Sequence, residues 1–173
     1  IGCALPRAGG RIIERDVAPR HNYEEALRSI GLVFDDEQLQ DVMLLEREGG
    51  FLVTALAPGT DPLADDPRQR YRFVDESFTD DQVVAASEQG ASRRGTRHRA
   101  DRNELAFRLI GRFVNAESGI RVLIVDQGDG FLLRMLVGAD KDMPHRFVTI
   151  SSGDLERMHQ EALAARGGPG GVR

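Results

Sequence analysis

Apolar residues recur at a helical period in two separate stretches of this chain. In each stretch three of them stand at positions i, i+3 and i+7, on one face of an amphipathic helix; they are Leu27, Ile30 and Phe34, then Phe107, Ile110 and Val114. Asn22 and Asn103 are the predicted N-caps, because a short polar side chain there accepts hydrogen bonds from free backbone amides. Gly119 is predicted to end the second helix.

After each predicted helix the pattern changes to short apolar runs bounded by turn residues, which favours strands. Residues 42–46 and 51–56 flank Gly49-Gly50, and residues 120–126 and 131–137 flank Asp129-Gly130. Both dipeptides tolerate the positive φ of a tight hairpin turn, so two hairpins are predicted. Third strands are expected over 72–75 and 146–150. A closing helix follows each of them, starting at about Thr79 in the first stretch and at about Ser152 in the second. Thr79 and Gln82 form a predicted capping box at the start of the first closing helix.

The two stretches resemble each other residue by residue. Residues 23–57 align with residues 103–137 at a constant offset of 80, with 11 identities in 35 positions. The alignment resumes at an offset of 74, where Arg72, Phe73 and Val74 meet Arg146, Phe147 and Val148 in the third strands. Because each copy of a repeat must bury its apolar face against its twin, the chain is predicted to be a tandem duplication of an α-β-β-β-α unit.

The predicted fold class is therefore α+β, with antiparallel strands in one broad sheet or two facing sheets, helices packed on one face, and a pseudo-two-fold between the units. The expected organisation is an extended N-terminal arm over residues 1–20, a first repeat over 21–91, an Arg-rich linker over 92–102, a second repeat over 103–166 and a flexible Gly-rich tail over 167–173. The arm and tail assignments follow from their glycine and proline content.

Composition narrows the function classes. The 173 residues carry a net charge of -5, which argues against a surface that binds polyanions everywhere. A single cysteine, Cys3, excludes an internal disulfide framework and fits a cytoplasmic protein. Of the 23 basic residues only Lys141 is lysine, which is typical of a GC-rich genome and favours a bacterial source. No apolar run reaches the roughly 18 residues of a membrane span, so no transmembrane segment is expected.

The predicted linker holds the densest charge in the sequence. Arginine at this density can grip phosphates or an acidic partner through charge-assisted hydrogen bonds; the candidate contact residues are Arg93, Arg94, Arg97, Arg99 and Arg102. No aromatic residue is interleaved, so stacking on single-stranded nucleic acid is not indicated. A plain solvated connector is the alternative interpretation of the same residues.

The first strand of each unit is apolar on both of its faces. Helices cover only one face of such a sheet, so the second face, represented by Met43, Leu45, Leu123 and Val125, needs another partner. The leading hypothesis is therefore a non-catalytic accessory subunit that binds another protein, or its own copy, through this face and its extended ends. The alternatives are a nucleic-acid-binding regulator acting through the Arg-rich linker, and a small-ligand carrier with a pocket lined by residues such as Met43 and Met135.

No residue set predicts catalysis, a cofactor or a metal site. Ser151, His145 and Asp154 contain the residue types of a hydrolase triad, but nothing like a nucleophile elbow surrounds the serine, and Ser151 and Asp154 are more simply explained as helix-start residues. The acidic loop with Asp61 and Asp66 lacks the alternating ligands and the glycine of a calcium loop. The protein is thus expected not to be an enzyme.

Overall fold

The computed structural model describes residues 22–61, 63–85, 102–137 and 144–166. They form an α+β fold with one six-stranded antiparallel sheet in the order β3-β2-β1-β4-β5-β6. The elements in chain order are α1 (Tyr23–Asp36), β1 (Gln40–Arg47), β2 (Gly50–Pro58), α2 (Pro67–Arg70), β3 (Tyr71–Thr79), α3 (80–85), α4 (Arg102–Ala116), β4 (Gly119–Asp126), β5 (Gly130–Val137), β6 (His145–Ser151) and α5 (Ser152–Arg166). Of the two sheet arrangements left open by the sequence, the single broad sheet is confirmed.

Helices α1 and α4 lie antiparallel and in close contact. A Cβ atom added at Gly31 would lie 2.6 Å from the backbone oxygen of Asn103, and one added at Gly111 would lie 2.2 Å from that of Tyr23. Both distances are shorter than any normal contact of a Cβ atom, so a larger residue at either position would push the helix backbones apart. Glycine is tolerated inside both helices because it permits this approach.

Each of these helices also caps the other. The Asp35 carboxylate at the end of α1 accepts hydrogen bonds from the amides of Asn103 (3.0 Å) and Glu104 (2.8 Å) in α4. Asn115 near the end of α4 accepts one from the amide of Tyr23 at 3.1 Å, so amides that have no partner inside their own helix are satisfied by the neighbour. The predicted N-cap Asn22 is confirmed, since its side chain accepts from the Glu24 amide at 3.1 Å.

Two features of the second half differ from the sequence-based expectation. Asn103 is not an N-cap: α4 begins one residue earlier, at Arg102, and the cap comes from Asp35 across the helix pair. Gly119 does not end α4. The residue with a left-handed φ after the helix is Ser118, at 51°, and Gly119 is the buried first residue of β4.

The four strands of the hairpins extend one or two residues beyond their predicted bounds, and β3 and β6 are also longer than expected. Gly49 and Gly50 have positive φ, as the first turn requires. In the second turn the positive φ lies at Gly128, one position before the predicted dipeptide, and the Gln127 amide donates to the carbonyl of Gly130 at 2.9 Å. Both hairpins are confirmed, and only the second turn is displaced.

A β-bulge interrupts each of the two central strands. Between Gln40 and Met43, β1 contains one residue more than the facing segment of β2. Between Ile120 and Leu123, β4 likewise contains one residue more than the facing segment of β5. One residue within each bulge has a left-handed φ, 49° at Asp41 and 53° at Arg121. The bulges therefore change which side chains of β1 and β4 point to each face of the sheet.

The core lies between the helices and one face of the sheet. All six residues of the two predicted helix stripes are at most 1% exposed, as the period predicted. The rings of Phe34 and Phe107 meet edge to face at 5.1 Å between centroids, and Phe107 meets Phe131 in the same way at 5.4 Å. This continuous cluster joins α1 and α4 to strands of both hairpins.

Candidate interaction surface

The sheet face that points away from α1 and α4, hereafter the open face, has no covering layer among the described residues. Burial alternates along the strands: Val42 and Leu44 of β1 are at most 1% exposed, whereas Met43 is 36% and Leu45 37% exposed. Alternate residues of a strand point to opposite faces, so the exposed set belongs to one surface. Its apolar members are Met43, Leu45, Leu52, Leu56, Phe73, Leu123, Val125, Leu132, Leu136 and Phe147.

The four interface residues predicted from the sequence lie together at the centre of the open face. Met43 stands opposite Val125, and Leu45 stands opposite Leu123, where β1 pairs with β4. Directly opposed residues have Cβ atoms about 5 Å apart, so the four side chains form one contiguous apolar patch. Leu52 and Leu132 extend the patch onto the next strand on either side.

Two exposed phenylalanines at the edges of the open face were not predicted as site residues. Phe73 on β3 is 67% exposed and Phe147 on β6 is 65% exposed. The sequence carried a signal for them, because Val74 and Val148 are apolar neighbours in the same strands and a strand cannot bury consecutive side chains on one face. These two rings are the most exposed aromatic side chains in the described part of the chain.

Charged residues are few on the open face. Asp75 on β3 stands opposite Thr54, and Arg134 on β5 stands opposite Leu123. The Arg134 guanidinium donates to Nδ1 of His145 at 3.2 Å, and Arg47 at the end of β1 donates to the Ser77 hydroxyl at 2.7 Å. Arg47 lies on the same face as Met43 and Leu45, so the open face carries one acidic group, Asp75, and two basic groups, Arg47 reaching β3 and Arg134 on β5.

Most of the predicted arginine contact set lies outside the described residues, namely Arg93, Arg94, Arg97 and Arg99. Arg102 is described: it is the exposed first residue of α4 and donates to the carbonyl oxygen of Gly128 at 3.0 Å. That contact ties the start of α4 to the second hairpin turn.

The other candidate polar residues serve structural roles. The Ser151 hydroxyl and the Asp154 carboxylate are 2.6 Å apart, and each also accepts a hydrogen bond from the other's amide, which is a capping box at the start of α5. These hydrogen bonds lower the pKa of Asp154, and the one from the Ser151 hydroxyl has the largest effect. His145 stands six residues along β6 from Ser151, about 20 Å away in an extended strand, so the three form no triad.

The acidic loop binds its own backbone. Asp61 accepts from the amide of Leu63 at 3.1 Å, and Asp66 caps α2 by accepting from the amide of Arg68 at 3.0 Å. Within the described ranges no three His, Cys, Asp or Glu side chains converge on a place that could hold a metal ion.

A buried tyrosine–carboxylate pair was not foreseen from the sequence. The Tyr23 hydroxyl donates to Glu46, with oxygen–oxygen distances of 2.8 and 3.0 Å, and Glu46 also accepts from the amide of Val122 at 3.0 Å. Burial, followed by the charge of Glu46, raises the pKa of the Tyr23 hydroxyl. The pair satisfies the backbone amide next to the bulge at Arg121 and so joins α1, β1 and β4.

Two clefts stand out in the described part of the chain. One, of about 470 Å³, is a shallow surface depression lined mainly by polar and charged residues, namely Asp36, Glu37, Gln38, Arg72 and Glu76 with Ala57 and Pro58. The other, of about 220 Å³, lies between α4 and α5, lined by Arg102, Leu105, Ala106, Phe131, Ser152, Leu155 and Glu156. It is smaller than the roughly 300–1,000 Å³ of typical small-molecule pockets. Met43 and Met135 do not line a common pocket, because Met43 lies on the open face and Met135 is fully buried on the helix face.

None of the helices in the described part of the chain is both long and apolar enough to cross a bilayer. No family model matches the chain, and no significant match was found among curated proteins or among solved structures.

Proposed function

We propose that this chain is a non-catalytic, cytoplasmic accessory subunit that binds a protein through its open face. The observation that carries the proposal is the contiguous apolar patch of Met43, Leu45, Leu123 and Val125, which lies on the side of the sheet opposite the helices. A contiguous exposed apolar patch on a sheet is typical of an interaction surface. Burial of each apolar side chain against a partner lowers the free energy, because apolar surface is removed from water.

The edge phenylalanines support the same function. Aromatic side chains are enriched at protein interfaces, where they contribute large buried areas at a small entropic cost. Phe73 and Phe147 flank the central patch on both sides, so a partner that covers the patch can also bury one or both rings.

Affinity isolation from the native cell tests this function. The tagged full chain should recover a stoichiometric protein that survives nuclease treatment, and the variant L45K/L123K should lose it because two charges then face the apolar partner surface. Leu63→Lys is the matched control, since Leu63 is 92% exposed and lies in the loop between β2 and α2, outside the strands. Equal recovery by all three proteins, with unchanged thermal unfolding, would contradict the proposal.

The alternative function is nucleic-acid binding through Arg93, Arg94, Arg97, Arg99 and Arg102. It predicts binding that weakens steeply with salt and is lost when these arginines become alanine. Nuclease-sensitive recovery in the same isolation experiment would favour this alternative over the accessory-subunit function.

We also propose that the two halves, residues 21–91 and 103–166, arose by tandem duplication and are related by a pseudo-two-fold. Reciprocal features at the offset of 80 support this: Gly31 and Gly111 at the helix contact, Asp35 and Asn115 as caps. Each half then needs the other to cover its apolar surfaces, so the two halves expressed together should reassemble, and each half alone should unfold or aggregate. Circular dichroism and gel filtration of the separate and combined halves measure this.

A further inference from the structure

We draw no further inference here: the strongest candidate, the apolar patch of Met43, Leu45, Leu123 and Val125 at the centre of the open face, belongs to the surface already described, and nothing in the described part of the chain shows what covers it.

Discussion

The contact between α1 and α4 leads to a prediction whose sign is decided by packing. Gly111→Ala adds one methyl group that would lie 2.2 Å from the carbonyl oxygen and 2.5 Å from the carbonyl carbon of Tyr23. Both distances fall short of normal non-bonded contact by about 1 Å or more. The neighbour is backbone, so no side-chain rotation can relieve the clash, and α1 must move away from α4.

Two effects of opposite sign set the size of the change. Alanine inside a helix is favoured over glycine by about 1 kcal/mol, which alone would stabilise the variant. Overpacking typically costs about 1–3 kcal/mol and sometimes more, and here it separates two helices that share the core. We expect the clash to prevail, with a net loss of about 2 kcal/mol and a melting temperature lower by about 4–8 °C in a chain of this size.

Urea unfolding followed by helical circular dichroism measures the difference. Gly31→Ala should be milder, because its closest approach is 2.6 Å, and the double variant should lose less than the sum, since one helix displacement relieves both clashes. Gly153→Ala in α5 is the matched control: its nearest neighbour would be the Ser151 hydroxyl at 3.7 Å, so it should be neutral or stabilising. A Gly111→Ala variant as stable as the wild type, with an unchanged m-value, would refute the close-contact argument.

Three further predictions concern caps and titrating groups. Asp35→Ala removes the acceptor of two α4 amides and should lower the free energy of unfolding in urea by about 0.5–2 kcal/mol. Asp35→Asn keeps one acceptor oxygen and should lose less stability; equal losses in the two variants would contradict the capping role. Burial and the charge of Glu46 raise the pKa of Tyr23, so above about pH 10 the unfolded chain releases this proton while the folded chain keeps it. The stability of the wild type should therefore fall above about pH 10, and that of Tyr23→Phe should fall less. Urea unfolding of both proteins in alkaline buffers measures this, and equal losses would contradict the prediction. Because hydrogen bonds from Ser151 lower the pKa of Asp154, its carboxylate stabilises the fold above the unfolded pKa of about 3.9, and this contribution is lost as pH falls through the folded pKa. In thermal unfolding Asp154→Asn should be less stable than the wild type at neutral pH, and the difference should narrow in acid; a constant difference would count against the assignment.

Local patterns in the sequence predicted most of the elements. The helix stripes, the hairpins, the capping box at Thr79 and the helix-start residues Ser151 and Asp154 depend on neighbours within about seven residues, and periodicity and turn chemistry report on such neighbours directly. The alternation in β1 also placed Met43 and Leu45 on a second apolar face. These features are local, so a single sequence was sufficient for them.

The features that were missed depend on contacts between distant parts of the chain. Asp35 caps a helix that begins almost 70 residues later, and Tyr23 donates to Glu46 across two elements. Nothing in the sequence near Asn103 reveals that its amide already has an acceptor elsewhere, so it was predicted as a cap.

The pairing of β1 with β4 also bears on how the chain folds. It joins Leu45 to Leu123, about 80 residues apart in sequence, whereas each hairpin closes over a few residues. Hairpins form in about 1–10 μs, but the central ladder must wait for a large loop to close, so the assembly of the two hairpins is expected to limit the folding rate. Loop-closure entropy grows only by about 0.6 kcal/mol for each doubling of loop length. Insertions between the two halves should therefore slow folding slightly and leave the folded sheet almost as stable as before.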